Sequence, residues 1–289
     1  MTVQTPTRFG YLRCSSLDDV FKAMADHGER ARIVAGGTDL VVGLQARRLD
    51  PCMLVDLVRV PELHGIVKGD DCLRIGAATT YTQLLESDLV KAHAPLLQQA
   101  AVEVGSVQIR NLGTLGGNLA NASPAADGVP PLVALGAEVE LLSRNGSRRV
   151  LCENFATGPG QSVLETGEIV VAFLVPVCHE HDEGFFSKLG PRDQQAISIV
   201  SVAFSGRRVP GTRRYESVRI ACGSVAPTVV RAFRAEEALS GIELEPETLF
   251  RSSQAILADI SPIDDVRGSA EYRRDQGVGL LRSGIEALL

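Results

Sequence analysis

The chain has 289 residues, 45% of them hydrophobic and 22% charged, with a net charge of −6. That length supports two or three subdomains, each with its own core, and the acidic balance argues against nucleic acid or an anionic membrane as a partner. No apolar run is long enough for a membrane span, and MTVQTPTRFGYLRCSS lacks the basic-then-apolar pattern of a leader, so the cytoplasm is the expected compartment.

The segment 15–29 predicts a helix capped by Ser15 or Ser16, with Val20, Phe21, Met24 and Ala25 at helical spacing. ARIVAGGTDL is a short buried strand that breaks at Gly36-Gly37. A helix through VVGLQARRL and a strand CMLVDL then complete a β-α-β rhythm, which predicts a small parallel sheet. LRIGAATTYTQLLES predicts a strand, a turn and a helix begun by Thr79 or Thr80, and VKAHAPLLQQAAVEV one amphipathic helix. AEVELLSRNGSRRVLCENF is two alternating runs around an Asn145-Gly146 hairpin signal, and GEIVVAFLVP is another strand. VCHEHDEG, residues 177–184, predicts a linker. Beyond it AISIVSVAFSGRR and YESVRIACGSV form an antiparallel pair, and the remainder is helical. Three parts emerge: 1–57, 58–176 and 177–289.

The six cysteines, at 14, 52, 72, 152, 178 and 222, contain no Cys-x-x-Cys, which suits neither a zinc ribbon nor an iron–sulfur cluster. CHEHDE looks metal-like, but no second ligand pair is near in sequence, so a solvated linker is the expected role.

Two glycine motifs carry the chemistry. AGGTD, residues 35–39, follows a strand, and GTLGGN, residues 113–118, follows a helix. Each is expected to present backbone N–H groups that no side chain blocks, a form of anion site that needs no formal cation. Thr38, Thr114, Asn118 and Ser123 add hydroxyl or amide groups. Two loops suit the two-phosphate bridge of a dinucleotide, whereas the P-loop lysine motif and Gly-x-Gly-x-x-Gly are both absent. Plain turns remain the alternative for either loop alone.

AGGTDL followed by IRNLGTLGGNLANASPAAD resembles the flavin-binding subunit of the xanthine dehydrogenase and carbon monoxide dehydrogenase family, the molybdenum hydroxylases. The likeness extends through TGPGQSVLETGEIVVAFLVP, FFSKLG, CGSVAPTVVRA and DDVRGSAEYRR, and the middle is most similar to the separate flavin subunits of bacterial xanthine dehydrogenases. The resemblance implies an α+β chain: a vanillyl-alcohol-oxidase-type FAD-binding fold of two α/β subdomains (1–57 and 58–176), then a C-terminal domain (177–289) of a small antiparallel sheet plus helices. It implies that Val34, Ala35, Gly36, Gly37, Thr38, Asp39 and Leu40, with Gly113, Thr114, Leu115, Gly116, Gly117 and Asn118, wrap the pyrophosphate and ribityl chain of FAD.

By the same resemblance Asp127 contacts the sugar portion, Ile169 lines the cofactor and Lys188 lies close to the isoalloxazine. From the residues alone, Asp127 has a helix cap as its alternative reading and Ile169 is core, while Phe186 shares the strand face of Lys188. Thr38 stands where some relatives carry His, so FAD is expected to be non-covalent. The resemblance further implies a molybdopterin-binding large subunit and a [2Fe–2S] small subunit as partners, with NAD as acceptor. Two other readings remain: an assembly subunit without functional flavin, and a self-contained flavin oxidase, for which no His or Tyr base is placed by motif.

Overall fold

A computed structural model describes residues 9–192 and 195–289. The reading of MTVQTPTR as lacking a leader falls outside them. The chain begins with a three-stranded parallel sheet of order β1-β3-β2, built from β1 (Gly10–Arg13), β2 (Ala31–Val34) and β3 (Met53–Asp56). Helix α1 (Leu17–His27) is capped by the Ser16 hydroxyl, which accepts from the Asp19 N–H, and α2 (Leu40–Gln45) follows the first glycine loop. No sequence pattern announced β1: GYLR has three exposed residues, and pairing with β3 holds it in place.

The middle of the chain is an antiparallel five-stranded sheet of order β4-β5-β10-β6-β7, formed by β4 (Ile66–Lys68), β5 (Cys72–Gly76), β6 (Glu138–Ser143), β7 (Gly146–Leu151) and β10 (Ile169–Pro176). The small pair β8 (Ala156–Gly158) and β9 (Gln161–Ser162) stands apart. Between β5 and β6 run six short helices: α3 (Tyr81–Glu86), α4 (Asp88–His93), α5 (Pro95–Glu103), α6 (Val107–Leu112), α7 (Leu115–Ala120) and α8 (Val129–Ala134). Thr80 caps α3 in a capping box with Gln83. The single helix expected across 90–104 is broken at Ala94 (φ −147°, ψ 54°), because the Pro95 ring disfavours helical geometry in the residue before it.

The last part is a four-stranded antiparallel sheet of order β11-β12-β13-β14, from β11 (Asp182–Leu189), β12 (Val200–Arg208), β13 (Tyr215–Gly223) and β14 (Val230–Arg231). It packs with α9 (Phe233–Leu239), α10 (Pro246–Ser253) and α11 (Ala270–Leu288). The expected linker over 177–184 is shorter than that, since β11 already starts at Asp182. The acids that suggested solvent are cross-strand partners there, Asp182 with Arg207 (2.7 Å) and Glu183 with Arg208 (2.7 Å). Nor is the C-terminal stretch helical throughout: residues 259–269 carry no helix and form one wall of the site below.

Three apolar cores result, and β10 joins two of them by sending Ile169 and Val171 into the first and Val170, Phe173 and Val175 into the second. All six cysteines are free thiols. Among the described residues there is no metal-ligand cluster, and no helix is long and apolar enough to cross a membrane.

Candidate cofactor site

The first glycine loop leaves β2 at Val34 and enters α2 at Leu40. The N–H groups of Gly36, Gly37, Thr38 and Asp39 have no hydrogen-bond partner among the described residues, which leaves four consecutive donors open at the start of α2. Gly37 sits at φ 71°, a left-handed conformation that glycine adopts without strain. Gly36 serves a different purpose. A Cβ there would land on the Leu112 carbonyl and lie 2.9 Å from the Gly113 nitrogen, so the two glycine motifs touch main chain to main chain.

The second motif departs from expectation. It is not an open loop but the start of α7, and its N–H groups are spent inside the chain. Gly113 donates to the Ile109 carbonyl, Leu115 to that of Thr79 (3.0 Å), Gly116 to that of Ala77 (2.8 Å) and Asn118 to that of Thr114 (3.0 Å). The Thr114 hydroxyl is the cap and accepts from the Gly117 N–H (3.1 Å). Only the Thr114 N–H lacks a partner among the described residues. Gly113, Leu115 and Gly116 are buried, and a Cβ at Gly116 would stand 2.6 Å from the Ala77 oxygen, so these residues are a bed for the first loop. Gly117 and Asn118 are the part that faces outward.

Both motifs open onto a cleft of about 420 Å³ that all three parts of the chain contribute to. Asp39 comes from the first loop, Asn118, Asn121 and residues 123–126 from the middle, and Ile197, Ser198, Ser224, Ser261, Arg267 and Arg273 from the C-terminal part. The middle and C-terminal walls meet where the Ser224 N–H donates to the Pro124 carbonyl (2.8 Å). Ala122 (φ 46°) and Ser224 (φ 62°) are both left-handed non-glycine residues beside this junction, and strain of that kind gathers at ligand sites. Crowding by protein pushes the Asp39 carboxyl above its usual range, although its outer edge is exposed.

Asp127 and Lys188 form a buried ion pair (2.7 Å) behind the cleft wall. The Lys188 ammonium also donates to the carbonyls of Glu103 (2.6 Å) and Ala196 (3.4 Å), so its three donors are all engaged and none is left for a ligand. Asp127 accepts from the Ser198 hydroxyl as well. Burial holds its carboxyl above the ordinary value despite the ammonium and both hydrogen bonds. Neither residue lines the cleft; together they fix Ala196 and Ser198, whose neighbourhood does. Ile169 is 3% exposed in the first core and does not reach the cleft, and Phe186 is core too. Ser198, Ser224, Arg267 and Arg273 were not anticipated as wall residues; the only signal lay in the CGSVAP and DDVRGSAEYRR stretches around three of them.

The site fits a pyrophosphate-bearing cofactor on its own geometry. Open N–H donors and a closely packed glycine bed admit phosphate, Asp39 can accept from sugar hydroxyls, and the cleft leaves room for a ring system. Residues 7–178 match the family model described as FAD binding domain in molybdopterin dehydrogenase, and residues 186–288 the CO dehydrogenase flavoprotein C-terminal domain. The chain is 37% identical to a xanthine dehydrogenase FAD-binding subunit of Escherichia coli O157:H7, over 91% of this chain and 90% of that one. It is 30% identical to the carbon monoxide dehydrogenase medium chain of Hydrogenophaga pseudoflava, over 98% and 97%. In structure it is similar to a carbon monoxide dehydrogenase chain from Hydrogenophaga pseudoflava (TM-score 0.94, 31% identity, 98% of both chains) and to quinoline 2-oxidoreductase of Pseudomonas putida 86 (TM-score 0.91, 29% identity, 98% of both).

Proposed function

Because the chain belongs to the FAD-binding subunits of the molybdenum hydroxylases, the xanthine and carbon monoxide dehydrogenase family, we propose that its cleft carries electrons from [2Fe–2S] clusters of a small partner subunit to NAD. It is an oxidoreductase subunit, and substrate oxidation belongs to a molybdopterin-binding large subunit in this reading. The observation that carries it is the run of open N–H groups from Gly36 to Asp39, bedded on the second glycine motif at the mouth of a three-walled cleft.

The bound flavin supplies exchange between one-electron donors and two-electron acceptors. The chain's own residues bind and orient. The first loop, from Val34 to Leu40, offsets phosphate charge with N–H dipoles, and the Asn118 side-chain amide faces the same ligand. Asp39 holds hydroxyls of the sugar chain. Asp127 and Lys188 act at one remove, fixing the 196–198 wall and leaving a buried ammonium close behind it. Thr38 offers no imidazole for covalent attachment, so FAD is held without a bond in the compartment proposed here, the cytoplasm.

The test is the visible spectrum of the purified chain, then acid precipitation. Stoichiometric FAD in the supernatant is the expected outcome. Colour that stays in the pellet would show covalent attachment, and a colourless chain that takes up no added FAD would leave only the assembly role. With the assembled complex, NAD is expected to outpace quinone and dioxygen as acceptor.

A further inference from the structure

Beneath the second glycine motif lies a side chain that the cofactor reading does not use. Tyr81, the first residue of α3, is 2% exposed, and its hydroxyl has no hydrogen-bond partner among the described residues. A buried phenol normally finds one. The ring sits against Gly113, with Cδ2 3.6 Å from where a Cβ would be. At its far end the hydroxyl occupies the space that a Cβ on Gly128 would take, and the Asn118 Oδ1 is 2.8 Å from that same point. Asn118 lines the cleft. Its Oδ1 accepts from the Gly128 N–H (3.1 Å), while its amide nitrogen makes no hydrogen bond among the described residues.

We propose that Tyr81 is a positioning residue of the cofactor site: when a phosphate draws the Asn118 amide nitrogen into the cleft, the Tyr81 hydroxyl becomes the second donor to Oδ1 and locks the amide in that orientation. This rests on the FAD reading of the cleft. An amide held at its oxygen by two donors can present only N–H groups on its other side, which is the polarity an anion requires. Burial, with Asp127 and Asp39 in range, holds the phenol far above its ordinary titration, so it remains a donor throughout the physiological range. The hydroxyl has no other acceptor among the described residues, and the Asn118 oxygen is the one placed beside it.

Tyr81→Phe separates this role from a structural one. Removing an unsatisfied buried hydroxyl leaves the FAD-free chain as stable as before, or more so. The expected result is an unchanged or raised unfolding midpoint without FAD, and FAD affinity about five- to tenfold weaker by flavin fluorescence titration, a loss of roughly one hydrogen bond. In an Asn118→Ala background the same substitution should have no further effect. Unchanged affinity in Y81F, a lowered midpoint without FAD, or a loss that persists beside N118A would each overturn the proposal. If the wild-type chain itself takes up no FAD, the cofactor reading fails and this inference falls with it.

Discussion

Gly36 and Gly37 stand side by side for opposite reasons. At Gly36 the backbone conformation is ordinary, but the Leu112 carbonyl fills the space where a side chain would begin. At Gly37 the nearest neighbours of a Cβ are at contact distance, 3.5 and 3.6 Å, while φ is 71°. Gly36→Ala is therefore expected to cost about 3 kcal/mol, the upper end for overpacking, because backbone cannot move aside as a side chain can. It should also abolish FAD retention by parting the two motifs. Gly37→Ala should cost about 1–2 kcal/mol, the strain of a left-handed alanine, and keep most of the flavin. Urea unfolding and flavin content of the two variants check both numbers. The sequence made both glycines legible as a loop near a ligand; it did not distinguish the one that clears space from the one that turns the chain, because that difference depends on what packs opposite.

At the scale of elements, the second motif shows where sequence reasoning stops. Gly116-Gly117 looks like an open loop by composition, yet Thr114 is the ordinary signature of a helix cap, and the cap prevails because Ala77 and Thr79 offer carbonyls to the incoming N–H groups. A threonine expected to serve the ligand thus serves the helix. Thr114→Val should lower stability by about 1 kcal/mol, with Thr114→Ser restoring it, while FAD content stays stoichiometric; thermal unfolding beside flavin release tests this. The parallel β-α-β start, the Asn145-Gly146 hairpin and the β12–β13 pair were all readable from alternation and turn residues. The edge strands β1 and β4 were not, since three- and four-residue strands carry too little pattern and owe their existence to a neighbour.

Across the whole molecule the cleft depends on how the C-terminal sheet docks, and a pattern along one strand cannot reveal that. The Asp127–Lys188 pair crosses this seam with side chains 10% and 5% exposed. Lys188→Met would strand the carboxylate in a dry place and should cost about 3–5 kcal/mol, as broken buried pairs do. Asp127→Asn in the same chain should recover part of that loss, which double-mutant unfolding measures. The sign with pH follows from the raised Asp127 carboxyl: a folded value above the unfolded one means that stability falls as pH rises through it. Without the ammonium that value climbs further, so the K188M deficit should shrink as the solution is acidified. A second charged cluster reinforces the seam, with Arg219 reaching Glu153 (3.1 Å) and the Val133 carbonyl (3.0 Å).

The placement of the cleft walls has a consequence for biogenesis. Asp39 and Asn118 leave the ribosome early, whereas Ser224, Arg267 and Arg273 are made only after both glycine motifs have emerged, and domains tend to fold in order of synthesis. The half-formed receptor would therefore wait with its phosphate donors exposed and no lid over them. Flavin capture becomes a late maturation step, gated by the arrival of α11, and a nascent chain stalled before that helix should be far more exposed to proteases than one that has received its cofactor.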